Sequence, residues 1–164
     1  MAPLPAPRPA DPAAVGGELG QRLETLRHAL LVTVSGYTPA LVELFTDDVV
    51  LVSPVLAVRG RDELVAELRR RNQVFSDIAM ELQVTELADE RLLGEWQVSA
   101  VHSGRLDLPE LTVPPTSRTV SLDGVSTARF LGSQIRELRQ YWDSLSLLRG
   151  LGVADPELLR NTPR

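Results

Sequence analysis

The sequence contains no cysteine, which excludes disulfides, zinc–thiolate sites and thiol nucleophiles but does not by itself fix a compartment. Basic charge is in short supply: 17 basic residues stand against 22 acidic ones, a formal net charge of -5. That balance argues against a nucleic-acid or anionic-membrane surface, either of which wants a basic face. No apolar run approaches the roughly 18 residues of a transmembrane helix. The N-terminus has no charged region followed by an apolar one, so it does not read as a secretory signal, and cytoplasmic residence is the expectation. Also missing are a Gly-rich phosphate loop, a cluster of metal ligands and a Ser-His-Asp arrangement. The sequence therefore calls for no metal, no other cofactor and no covalent intermediate.

What is present fits one domain: 164 residues, 43% hydrophobic and 24% charged. Residues 1–14, MAPLPAPRPADPAA, hold five prolines and little that could build a core, so they read as a disordered tail. The domain proper spans 15–152, and 153–164 form a C-terminal extension. Leu19, Leu23, Leu26 and Leu30 recur at helical spacing up to Gly36. TPALVELF restarts a helix behind Thr38 and Pro39, which Asp47-Asp48 should close. VVLVSP then reads as a strand. RGRDELVAELRRRNQVF is a third helix, acidic in its first turn and basic at its end, as the macrodipole favours. Strands are predicted over 78–87, 91–103, 118–130 and 134–143, with short hairpin connections at 88–90 and 131–133. The proline-rich stretch between 103 and 117 is a surface loop able to cover a pocket. SLSLLRGLG closes the domain as a short helix. Helices first and a sheet after give an α+β class, with the helices packed on a curved antiparallel sheet that encloses a pocket.

The order of LFTDDVVLVSP, VRGRDELVAEL, AVHSG, VPPTSRTVSLDGVSTARF and YWDSLSLLRGLG resembles the SnoaL-like polyketide cyclases, members of the NTF2-like superfamily of cone-shaped folds. The resemblance covers about residues 20 to 152. It implies a cofactor-free cyclase or isomerase of antibiotic and other secondary metabolism, a hydrophobic small-molecule substrate, and a homodimer formed through the outer face of the sheet. It implies further that an aspartate on the last long strand is the general acid/base; Asp143 matches that position, and His102 matches a family histidine. The related epoxide hydrolases add an Arg-x-Asp on a neighbouring strand. Here that strand, LLGEWQVSAV, lacks it, and Arg105 and Asp107 have the spacing only in the following loop. Epoxide opening and a non-catalytic binding or dimerisation module are the alternatives of the same fold.

The residues themselves leave two readings of Asp143 open. Alternation puts it on one strand face with Tyr141 and Arg139, while Leu138, Gln140 and Trp142 share the other. It either enters the cavity as a proton-transfer group, with Tyr141 beside it on the ligand, or it caps the helix that follows. His102 is a candidate for proton transfer or a solvated loop histidine. Trp96 is a candidate for ligand stacking or plain core. Ser53, in LVSP where the family often carries an acidic or aromatic polar residue, completes the candidate substrate-binding set.

Overall fold

The computed structural model describes residues 17–153 apart from Asp89 and Glu110, so the predicted tail and almost all of the C-terminal extension lie outside the described residues. The elements run α1 (Glu18–Ser35), α2 (Leu41–Leu44), β1 (Phe45–Ser53), β2 (Leu56–Arg59), α3 (Arg61–Arg70), β3 (Phe75–Leu87), β4 (Arg91–His102), β5 (Leu106–Leu108), β6 (Leu111–Val113), β7 (Thr119–Leu131), β8 (Gln134–Trp142) and α4 (Ser144–Gly150). Six strands form one sheet in the order β2-β1-β8-β7-β4-β3, and β5 pairs with β6 as a separate hairpin. The fold is α+β, as expected. The sheet is mixed rather than wholly antiparallel, because β1 and β8 pair in parallel. The chain between them supplies the long crossover that a parallel pair needs.

The leucine face of α1 packs where its spacing predicts. Leu26 and Leu30 are fully buried, Leu23 nearly so, and they meet Phe45, Ile135 and Leu138 of the sheet. Gly94 of β4 lies beneath this helix: a Cβ there would crowd the Leu82 side chain and touch Leu26 and Leu30 at ordinary contact distance. The helix stops at Gly36, whose N–H donates to the Val32 carbonyl at 2.9 Å. Gly36 has φ +96, and a Cβ on it would sit 2.8 Å from the Asn72 Cα. Glycine is needed there for backbone conformation and for close approach alike. Register breaks between Phe45 and Val50, between Ser76 and Ala79, and between Arg129 and Phe130 bend the strands, and the sheet curls around α1.

Several boundaries differ from the sequence reading. The second helix is one turn, and Asp47-Asp48 do not close it; they lie in β1, at the register break, exposed. Asp47 pairs with Arg61 and Asp48 with Arg136, so the acids are held by partners across the bulge. β2 lies in a segment that the sequence reading leaves unassigned, ending on the Arg59 placed at the start of the third helix, and the β5–β6 hairpin lies in the segment read as a surface loop. The acidic first turn and basic last turn of α3 are as predicted, with Leu64 and Leu68 buried one turn apart.

Candidate active site

The concave face of the sheet, α1, the β5–β6 hairpin and α4 enclose a cavity of about 100 Å³. This is compact beside the ~300–1,000 Å³ usual for ligand pockets. Period-two alternation decides what reaches it. Trp96, Val98 and Ala100 line it from β4, Val120 and Leu122 from β7, Gln140 and Trp142 from β8. Leu106 and Leu108 close it from the hairpin and Leu147 from α4. The wall is apolar except for Thr33, Ser53, Arg71, Gln140 and the two indoles. None of its residues is a carboxylate or a histidine.

Trp96 is built into the wall. Gly124 is its cross-strand partner, and a Cβ at Gly124 would fall 2.3 Å from the indole. The ring therefore lies flat over a position that only glycine leaves open. Its Nε1–H donates to the buried Ser126 hydroxyl at 2.9 Å, so the indole offers a ligand its face and not its donor. Ser53 also lines the cavity, half-buried, its hydroxyl accepting from the Val55 N–H at 3.3 Å. These two predicted site residues line the same cavity, from strands that β8 and β7 separate in the sheet.

Asp143 and Tyr141 are not. Asp143 is exposed at the N-terminus of α4, where its carboxylate accepts the Leu145 N–H at 2.9 Å and the Ser146 hydroxyl at 2.7 Å. Those hydrogen bonds, the Ser146 one foremost, hold its pKa below the usual carboxylate value. A cavity acid would show the opposite direction, because burial raises a carboxyl group. The expectation that Asp143 faces the cavity is corrected: the geometry is that of a helix cap. Tyr141 stands on the outer face of the sheet, 57% exposed. The alternation predicted for β8 is correct, but it is the Gln140–Trp142 face that meets the cavity.

His102 is fully buried at the end of β4 but does not line the cavity. The Thr116 N–H points at its Nδ1 at 3.2 Å, and the Thr116 hydroxyl lies 3.0 Å from the same nitrogen. A backbone N–H can only donate, so Nδ1 is the acceptor and the neutral ring carries its proton on Nε2. Nε2 has no partner and is sealed in. Burial pushes the imidazole pKa down, with the nearby Gly104 backbone acting against the shift. His102 is thus a neutral clamp on the segment leading into β7, with Phe75 beside it at 5.6 Å between ring centroids.

The sequence reading missed Gln140, Thr33 and Arg71. The Thr33 hydroxyl donates to the Leu30 carbonyl at 2.7 Å, so the Gln140 group 3.1 Å from it must be the amide N–H. This fixes the amide orientation and leaves the Gln140 oxygen without an acceptor role inside the described protein. Arg71, just past α3, is half-buried and donates from Nη2 to the Val55 carbonyl at 2.9 Å. Burial lowers its pKa, with Glu67 acting against the shift. A helix-end arginine in an RRR run carries no sequence mark that separates it from its solvated neighbours. The chain holds no lysine at all, its 17 basic residues being arginines, so no lysine Schiff base can form in the cavity. Among the described residues no three His, Asp or Glu side chains cluster as metal ligands, and no helix is long and apolar enough to cross a membrane.

A bent sheet wrapped on an N-terminal helix around one apolar cavity is the NTF2-like architecture. The chain belongs to the SnoaL-like polyketide cyclase family, whose profile matches residues 25–151. No curated protein matches it. Among solved structures it is similar to TsrD from Streptomyces laurentii, at 18% identity and TM-score 0.67 over 85% of this chain and 100% of that one. A candidate SnoaL-like polyketide cyclase from Jannaschia sp. CCS1 is similar at 20% identity and TM-score 0.65, over 83% and 94%. A phenazine biosynthesis-related protein from Pseudomonas aeruginosa is similar at 15% identity and TM-score 0.59, over 90% and 94%. At these identities the likenesses establish the fold.

Proposed function

We propose that the protein is a cofactor-independent cyclase or isomerase that folds a compact polyketide-like carbonyl compound against the apolar wall and accelerates an intramolecular aldol closure. The observation that carries this reading is the enclosed cavity itself, apolar apart from a few fixed polar groups, in a chain of a cyclase family. In such a closure a carbon between two carbonyls gives up a proton and bonds to a third carbonyl carbon, whose oxygen takes a proton; no atom is gained or lost. A 1,3-dicarbonyl is acidic enough to lose that proton to water. The chain's part is then to hold both ends of one molecule together, which can supply effective molarities of about 10⁵ M or more. The indole faces of Trp96 and Trp142 would shape the pose. The Arg71 guanidinium would offset charge developing on the oxygen, and the Gln140 amide oxygen would accept a hydroxyl hydrogen.

On this reading Asp143 does not move the proton. The test is turnover of a linear 3,5,7-triketo acid, whose C2 can bond to the C7 carbonyl carbon and close a six-membered ring, followed by loss of its enolate absorbance. The wild type should accelerate its closure over buffer, Asp143→Asn should keep the rate, and Trp142→Ala should lose it. Loss of rate in Asp143→Asn with unchanged stability would overturn the reading. A second reading, a non-catalytic binding module, is favoured by the lack of a carboxylate or histidine on the wall. It predicts binding without acceleration in the same assay. The epoxide-opening alternative has little support: Arg105 and Asp107 pair with each other at 2.9 Å, exposed and outside the cavity.

A further inference from the structure

Arg71 is the single charged group on the cavity wall. Its guanidinium carries five N–H donors, and the described protein satisfies it with one bond, to the neutral Val55 carbonyl. None of the ion pairs among the described residues includes it. The acid one turn back, Glu67, is engaged with Arg70 instead. The turn that carries Arg71 is held firmly: its backbone N–H donates to the Glu67 carbonyl at 3.2 Å, and Asn72 packs against Gly36. A half-buried cation whose nearest acid, Glu67, is bonded to Arg70 and acts on it only through space, fixed at the edge of an apolar cavity, is costly unless something negative visits it.

We propose that Arg71 is the recognition point for anionic oxygen on the ligand, so that the cavity takes compact apolar molecules bearing a carboxylate or the enolate of a 1,3-dicarbonyl. A carboxylate, or an open-chain enolate with its oxygens on one side, presents two coplanar oxygens that the planar guanidinium can take bidentately, while a ring enolate, whose oxygens diverge, meets it through one charged oxygen. The proposal rests on the cavity being the ligand site and adds the charge of what it selects. It also assigns polarity along the cavity: the charged end of the ligand lies toward Arg71 and Val55, and its hydrocarbon body lies toward Trp96, Trp142 and Val98.

Both tryptophans of the chain line the cavity, so intrinsic emission reports its occupancy directly. The probes are two matched pairs at neutral pH: cyclohexanecarboxylate against cyclohexanecarboxamide, and cyclohexane-1,3-dione, which is ionised there, against cyclohexanone. The wild type should bind at least one anion about tenfold or more tighter than its neutral partner, and the pair that discriminates tells carboxylate from enolate. Arg71→Gln should abolish the preference, weakening the anions far more than their neutral partners. Arg71→Lys, which keeps the charge without the fork, should retain part of it, and this variant decides the matter should the glutamine variant fail to fold. Equal affinity within both pairs in the wild type, or a preference that survives Arg71→Gln, overturns the proposal. If no probe alters tryptophan emission, the ligand-site reading falls and takes the proposal with it.

Discussion

A single side chain, Asp143, separates what the family resemblance implies from what this chain does with the position. Its two carboxylate oxygens are both spent on the first turn of α4. Asparagine caps about as well as aspartate, so Asp143→Asn should melt within error of the wild type, whereas Asp143→Ala should melt lower. Thermal unfolding of the pair checks this, and equal melting of all three proteins would show that the cap contributes nothing. His102 makes a second prediction. Its folded pKa lies below the ordinary value of 6.5 because burial disfavours the imidazolium, with no charged group contributing to the shift. The unfolded chain therefore takes up the proton first. The stability tied to the neutral ring is complete above the unfolded pKa and is lost as pH falls through it toward the folded value. The carboxylates with lowered values, Asp48, Asp107, Glu137 and Asp143, lose their share only at lower pH, below their ordinary values near 4. Denaturant midpoints taken at about pH 7.5 and 5.5 should thus drop for the wild type and drop less for His102→Asn, which keeps an acceptor for the Thr116 N–H but cannot titrate. Identical slopes in the two proteins would exclude His102 as the source. His28, the other histidine, is exposed.

Elements were legible wherever one periodicity ran undisturbed. The leucines of α1 and the alternating burial of β4 follow directly from their spacing. β1 was harder because its bulge turns Asp47 and Asp48 to solvent, and a polar pair in an apolar run reads as a stop. β5 and β6 are three residues each, too short to show a period between prolines. The candidate site failed for a related reason. Alternation sorts Leu138, Gln140 and Trp142 from Arg139, Tyr141 and Asp143, but it does not say which set meets the helix. The clue was available in composition, since Leu138 and Trp142 are the apolar members. Two glycines test the packing. Gly36→Ala should destabilise by more than about 1 kcal/mol, since φ is positive and the Asn72 backbone blocks the new Cβ. Gly124→Ala should drive the Trp96 indole off β7, visible as a changed tryptophan emission spectrum in a protein that still folds. Native-like emission from that variant would mean that the indole is not held against Gly124.

At the scale of the whole molecule, the outer face of β3, β4, β7 and β8 is divided by charge. Glu81, Glu95 and Asp123 gather on one part, with Gln83 and Tyr141 among them. Arg91, Arg129 and Arg139 surround Glu137 on another. In the homodimer that the family resemblance implies, a two-fold axis passing between the two parts would lay each acidic part over the partner's basic part. Sedimentation at micromolar concentration should report a dimer that weakens with added salt; a monomer at low salt would contradict it. The central claim is narrower: the ligand occupies the cavity behind Trp96 and Trp142, not a site at Asp143 and Tyr141. Crystals soaked with cyclohexane-1,3-dione test it most directly. The account predicts difference density enclosed by Trp96, Trp142, Gln140 and Arg71, with the outer face empty. Density against Tyr141, Asp123 and Asp143, with the cavity unfilled, would contradict it.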